Sequence, residues 1–187
     1  MLTKEQVRQI LFHPENHEWT TQGLGMLRTY LDPSGIYRLH IWDSSQVNPQ
    51  ASRIHDHPWS FESRVIAGGL VNQRYYRSEH PNSMEYQLVQ IKCGAGGGPV
   101  SGIETVHLLM VQEEELNAGD VYAQHWTELH DSAAEDGTVT IIKRDFKTDT
   151  EHATVCWEKG PWGSAEPRRA EPEEVRYVTQ TALERWF

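Results

Sequence analysis

The stretch RIHDHPWSFESRVIAGG, residues 53–69, decides how the rest of the chain is read. His55 and His57 stand one residue apart, Glu62 follows five residues later, and an apolar run leads into Gly68-Gly69. On a strand, side chains two apart point the same way. His55 and His57 therefore aim at one spot, as two imidazoles must to sit about 2 Å from a shared cation. Pro58 cannot donate to a ladder, so it suits a strand end or edge. Glu62 can reach back to the same point from the following strand. A metal site needs a further ligand, and LNAGDVYAQHWTELHDS (116–132) offers His125 and His130 after the turn at Gly119-Asp120.

On both sides of this stretch the apolar pattern has period two. Strands are expected at 36–42, 61–68, 70–77, 84–92, 104–112, 119–124, 138–144 and 152–159, where Val, Ile, Tyr and Thr alternate with polar residues between Gly, Pro, Asn and Asp. CGAGGGPVSG (93–102) reads as a flexible connection, and Glu113-Glu114-Glu115 as a solvated turn. No long helical pattern interrupts residues 36–159, which predicts an all-β sandwich or barrel. Helices are expected at the ends. Thr3 and Gln6 form a capping-box pattern ahead of Val7, Ile10 and Leu11. A short second helix is expected over 21–31, weakened by Gly23 and Gly25. The tail turns helical from about 172, with Pro172 in its first turn. The expectation is one domain: a helical segment 1–31, a barrel over about 36–159, and a tail 160–187.

Bulk properties exclude some functions. The net charge of −10 argues against nucleic acid, which needs a basic face. No apolar run is long enough to span a bilayer, and the N-terminus has no signal-like apolar block. The two cysteines, Cys93 and Cys156, are too few for a disulfide framework and fit free thiols in a reducing cytoplasm.

At this point the pattern resembles the cupin superfamily. Its first motif, G(X)5HXH(X)3–4E(X)6G, is met by His55, His57, Glu62 and Gly69, although Asn48-Pro49 stands where its first glycine belongs. Its second, G(X)5PXG(X)2H(X)3N, is met by Gly119 and His130. His125, Thr127 and Ala134 occupy its proline, glycine and asparagine positions. The resemblance covers residues 36–145. It implies a single jelly-roll-like β-barrel with a divalent metal held by His55, His57, Glu62 and His130. His125 is then left to line the pocket or move protons.

A narrower similarity lies inside this one. LRTYLDPSGIYRLHIWDSSQVNPQASRIHDH (27–57) resembles the lead-in to the iron site of the cysteine dioxygenase group of thiol dioxygenases. Arg28 would match the arginine that holds the substrate carboxylate. Many animal-type members carry a cross-linked cysteine where Glu62 stands here, and this chain has no matching tyrosine. The resemblance implies an Fe(II) dioxygenase acting on a small polar substrate such as a thiol, with O2 as co-substrate; Ni, Mn or Zn would also suit these ligands. Arg28, Arg38, Arg64, Trp59 and Tyr75 are the candidate substrate contacts, and Arg28 and His125 the candidate catalytic groups. Arg38, His40 and Trp42 would share one face of the first strand. The alternative is a non-redox metal-bearing cupin that binds a small ligand or uses the metal as a Lewis acid, as an isomerase would. A third reading is a binding or structural cupin without turnover. A homodimer is left open.

Plainer readings stand beside these. An HxH pair can sit on a solvated loop, Glu62 can be an acceptor that fixes an imidazole tautomer, and Arg28 can be a surface arginine.

Overall fold

The computed structural model describes residues 2–49, 51, 53–93, 98–145, 152–158 and 167–187. Helix α1 (Lys4–Phe12) opens on the expected capping box. Thirteen strands follow among the described residues: β1 (Thr20–Thr21), β2 (Leu24–Tyr30), β3 (Tyr37–Val47), β4 (Ile54–His55), β5 (Phe61–Ala67), β6 (Gly69–Arg77), β7 (Met84–Lys92), β8 (Glu104–Asn117), β9 (Val121–Gln124), β10 (Leu129–Ala134), β11 (Val139–Arg144), β12 (His152–Trp157) and β13 (Arg168–Arg169). Helix α2 (Pro172–Trp186) closes the chain, with Pro172 in its first turn. None of these helices is long and apolar enough to cross a membrane.

The strands form two sheets. One is seven-stranded and open, in the order β13-β1-β2-β3-β11-β5-β9; the other, β10-β4-β12-β7-β8-β6, closes on itself through β6 and β10. The chain crosses between them at Gly68, the single residue separating β5 from β6. Gly68 has φ of +81°, and a Cβ there would lie 2.9 Å from the Thr138 Cα. Only glycine takes that backbone without strain. The all-β expectation holds at this level.

Alternation along β3 explains how the sheet is used. Leu39 and Ile41 are fully buried beneath the helices with Val7, Leu11, Val139, Ile141 and Val178. Arg38, His40 and Trp42 point to the other face and are buried as well. Burying each of the larger aliphatic side chains contributes about 1.5–3 kcal/mol. The helices therefore cover the outer face and leave the inner face to line a cavity.

Three expectations need correction. Residues 21–31 are not helical; they supply β1 and β2. Gly23 and Gly25 adopt positive φ, and Leu27 and Thr29 are buried on the helix-covered face while Arg28 and Tyr30 alternate toward the cavity. Pairing of the whole segment with β3 outweighs its helical spacing. Glu113-Glu114-Glu115 is not a turn, because β8 runs on to Asn117. Gln73 donates to Glu113 at 2.6 Å and Arg74 pairs with Glu114 at 3.5 Å, so the acidic run is held by its cross-strand partners. Strands also extend beyond 36–159, to β1, β2 and β13. Of the glycine-rich connection, residues 94–97 lie outside the described residues, as do Lys159 at the end of one expected strand and residues 160–166 at the start of the tail.

Candidate metal centre

His55 ends the two-residue strand β4, squeezed between β12 and β10, and stands directly opposite His130. His57 lies just beyond the strand. The three rings gather closely: centroids are 4.7 Å apart for His55–His57, 4.8 Å for His55–His130 and 5.1 Å for His57–His130. One ligand atom from each lies within 4.8 Å of the others. His57 Nε2 and His130 Nε2 approach to 3.0 Å. Two nitrogens bound about 2.1 Å from one metal are separated by roughly 3.0–3.4 Å, so this spacing already suits a shared cation.

The surroundings fix which nitrogen faces inward. His55 Nδ1–H donates to the Arg53 carbonyl at 2.7 Å, which leaves its Nε2 lone pair free. His130 Nδ1–H donates to Asn72 Oδ1 at 3.0 Å, and Ser132 Oγ donates to the same oxygen at 3.0 Å. Asn72 is fully buried and its amide donates to Gln124 Oε1; Gln124 in turn donates to the Glu128 carboxylate at 3.2 Å. This chain of donors orients the Asn72 oxygen toward His130, the arrangement that holds a ligating imidazole in one tautomer. His57 stacks on Trp59, with centroids 4.6 Å apart, and meets the edge of Phe61.

Burial keeps these imidazoles neutral. It lowers the pKa of His55 against the opposing pull of the Arg53 carbonyl and Asp131. His57 and His130 are pushed well below the usual histidine range, first by burial and then by the neighbouring positive groups. Neutral imidazole is the form that binds a metal. The donor set of three nitrogens suits iron, nickel, copper or zinc.

The three histidines open into a cavity of about 280 Å³. Arg28, Arg38 and Trp59 line it, as expected from the sequence. Four other expected site residues lie elsewhere. Glu62 is exposed on the outer face of β5, opposite Lys143 and Ala123. Phe61 and Ser63 take the inward positions, and the period of two sends Glu62 away from the histidines. Arg64 is exposed on the same outer face. His125 is exposed in the turn before β10, its ring 2.8 Å from the Thr127 hydroxyl, and is not part of the histidine group. Tyr75 follows a register shift in β6 and packs beside Ile54, Tyr86 and Leu88, away from the cavity. Its hydroxyl donates to Gln73 at 2.8 Å, and burial pushes its pKa up to about 12.

Arg38, His40 and Trp42, expected on one face of the first strand, all line the cavity, and both ring nitrogens of His40 are buried without a hydrogen-bond partner among the described residues. Sequence reasoning missed one functional group. Asn72 had no signal: its role appears only when β10 lies beside β6.

No protein-family model and no curated protein matches the chain.

Proposed function

We propose that the protein is a metal-dependent enzyme of the cupin type, with a jelly-roll-like barrel, that oxidises a small anionic thiol with O2 at iron(II) held by His55, His57 and His130. The observation carrying this reading is the convergence of three neutral imidazoles, with no carboxylate among them, at a cavity walled by Arg28 and Arg38. With Glu62 on the outer face, the donor set is three imidazoles without the carboxylate that the general cupin resemblance implies, which favours the narrower thiol dioxygenase reading.

Iron(II) bound there would supply the redox chemistry that lets O2 react with a thiolate. The chain supplies binding, orientation and shielding. Arg28 is held by its Nε–H donating to Thr20 Oγ1 at 3.1 Å and its Nη1–H donating to Gln22 Oε1 at 2.8 Å. The remainder of its guanidinium is free to grip a carboxylate, where paired N–H donors are strongest. Trp59 and Phe61 shield His57 from water. Asn72 keeps the His130 Nε2 lone pair directed inward. The two free cysteines, Cys93 and Cys156, fit a reducing cytoplasm.

Metal analysis of protein purified without a histidine tag, followed by an oxygen electrode with cysteine, cysteamine and 3-mercaptopropionate, tests the reading. Iron with O2 uptake on a carboxylated thiol is the expected result. Tightly held zinc with no O2 uptake on any thiol overturns it in favour of a non-redox role.

A further inference from the structure

The inner face of the open sheet carries more positive charge than one carboxylate answers. Antiparallel register sets Arg28 opposite His40 and Tyr30 opposite Arg38. On the other side of β3, Thr140 faces His40 and Ile142 faces Arg38, and Arg144 follows two residues further along β11. The Arg38 guanidinium lies 4.8 Å from the Tyr30 ring centroid and 4.9 Å from that of Trp59. Arg144 reaches the same two rings, at 6.0 and 5.1 Å. Burial first, and then repulsion from Arg28 and Arg144, bring the Arg38 pKa down to about 10 against the opposing pull of Tyr30.

Among the described residues no carboxylate pairs with Arg28, Arg38 or Arg144 at this end of the cavity. The arginine ion pairs among the described residues are made by Arg8, Arg53, Arg74, Arg77 and Arg168. The two carboxylates lining the cavity are engaged elsewhere. Asp131 pairs with Arg53 at 3.2 Å, and Asp56 accepts from the Thr154 backbone N–H at 2.6 Å. Arg38 is only 8% exposed, yet its one hydrogen bond among the described residues goes to the Tyr30 hydroxyl at 2.8 Å and its Nε has none. The Arg144 Nε is likewise buried and has no partner among the described residues. His40, 6% exposed, presents two unpartnered ring nitrogens between Arg28 and Arg38. Buried charges and polar groups are costly unless paired, and with no partner among the described residues these groups are matched to an anionic ligand.

We propose that the cavity takes a dianion: a small molecule whose non-reacting end carries two negative charges, gripped by Arg28 and Arg38 with His40 hydrogen-bonded to the same end, and with Arg144 adding its charge from behind the Tyr30 and Trp59 rings. A dicarboxylate and a phosphate group share this chemistry. The inference rests on the reading of the cavity as a substrate site, and narrows its substrate class from anionic to doubly anionic.

Calorimetric titration of the full chain with succinate, inorganic phosphate and propionate tests it without a thiol. At least one dianion should bind about tenfold more tightly than propionate, the gain expected from one added charge-assisted hydrogen-bonded pair. Preference for succinate identifies a dicarboxylate end, and preference for phosphate a phosphoryl end. Arg144→Gln, at a half-buried position and checked for an unchanged thermal midpoint, should weaken the preferred dianion by at least about threefold and leave propionate unchanged. Arg38→Gln should weaken it further. Propionate binding as tightly as both dianions, no binding of either dianion, or an unaffected Arg144→Gln variant overturns the inference. Dianion selectivity in a protein that oxidises no thiol keeps it and removes the proposed reaction. Equal turnover of mono- and dicarboxylic thiols removes it and keeps the reaction.

Discussion

Asn72 offers the sharpest test of the metal centre, because it never touches the cation. Its Oδ1 accepts from His130 Nδ1–H and from Ser132 Oγ, each at 3.0 Å, and its amide donates toward Gln124. Asn72→Leu keeps the approximate volume and deletes the acceptor. His130 then loses the bond that fixes its tautomer, and losses of this kind weaken metal binding about 10–100-fold, or roughly 1.4–2.7 kcal/mol. The His130 Nδ1–H, the Ser132 hydroxyl and the Gln124 carbonyl oxygen lose a partner in a site with no solvent access for Asn72. Stability should therefore fall by about 1–3 kcal/mol for each group left unpaired. Asn72→Asp separates the two effects. It retains an acceptor for His130 and makes it anionic, which raises imidazole basicity, so metal affinity should be kept or increased. It loses the donor to Gln124, so stability should still drop. Metal affinity is read by competition with a chromogenic chelator, and stability by thermal unfolding in excess chelator. Two folded variants that both hold metal as tightly as the parent would refute the placement of His130 in the first coordination sphere.

Single His55→Ala, His57→Ala and His130→Ala changes should each lower metal stoichiometry by well over half, whereas His80→Ala and His152→Ala should leave it unchanged; full occupancy in His57→Ala would remove the site. Glu62→Gln and His125→Gln should both retain the metal, because neither side chain joins the histidine group, and loss in either variant on metal analysis contradicts that arrangement. Gly68→Ala should destabilise the fold by about 1–3 kcal/mol in denaturant titration through its positive φ and the close Thr138 backbone. Chelation of bound metal should lower the thermal midpoint, since a ligand held only by the folded state stabilises it by mass action; an unchanged midpoint means that no metal was bound.

Much of the architecture was legible because strands with one dominant period announce themselves. β7 occupies Met84–Lys92, the very span expected, and both terminal helices begin where their caps predict. β10 escaped notice. Its sequence LHDSAA is weakly apolar, and its place depends on neighbours far away in sequence: β4 on one side and β6 on the other. Asp131 is matched by Arg53, and Ser132 by Asn72. Local propensity contains none of this.

The misplaced Glu62 shows what spacing alone can decide. His55 and His57, with only Asp56 between them, bring their rings to one point although His57 lies just past the end of β4, and His130 is delivered opposite His55 by register. Glu62 lies an odd number of residues from His57, but the chain between them is not one continuous strand, so parity could not be carried across Pro58 and Trp59. What sets its direction is Phe61, the first residue of β5, which turns inward against His57 and Tyr122. Once Phe61 faces in, Glu62 must face out, and the same alternation carries Arg64 outward with it. The consequence is chemical as well as geometric. A divalent metal held by three neutral imidazoles keeps its full double charge, and the arginine wall adds to it rather than offsetting it. Two charges about 4 Å apart interact by several kcal/mol at an effective dielectric near 20. On the proposed function, a cavity built this way would select its ligand by negative charge first, and by shape only after that charge has been met.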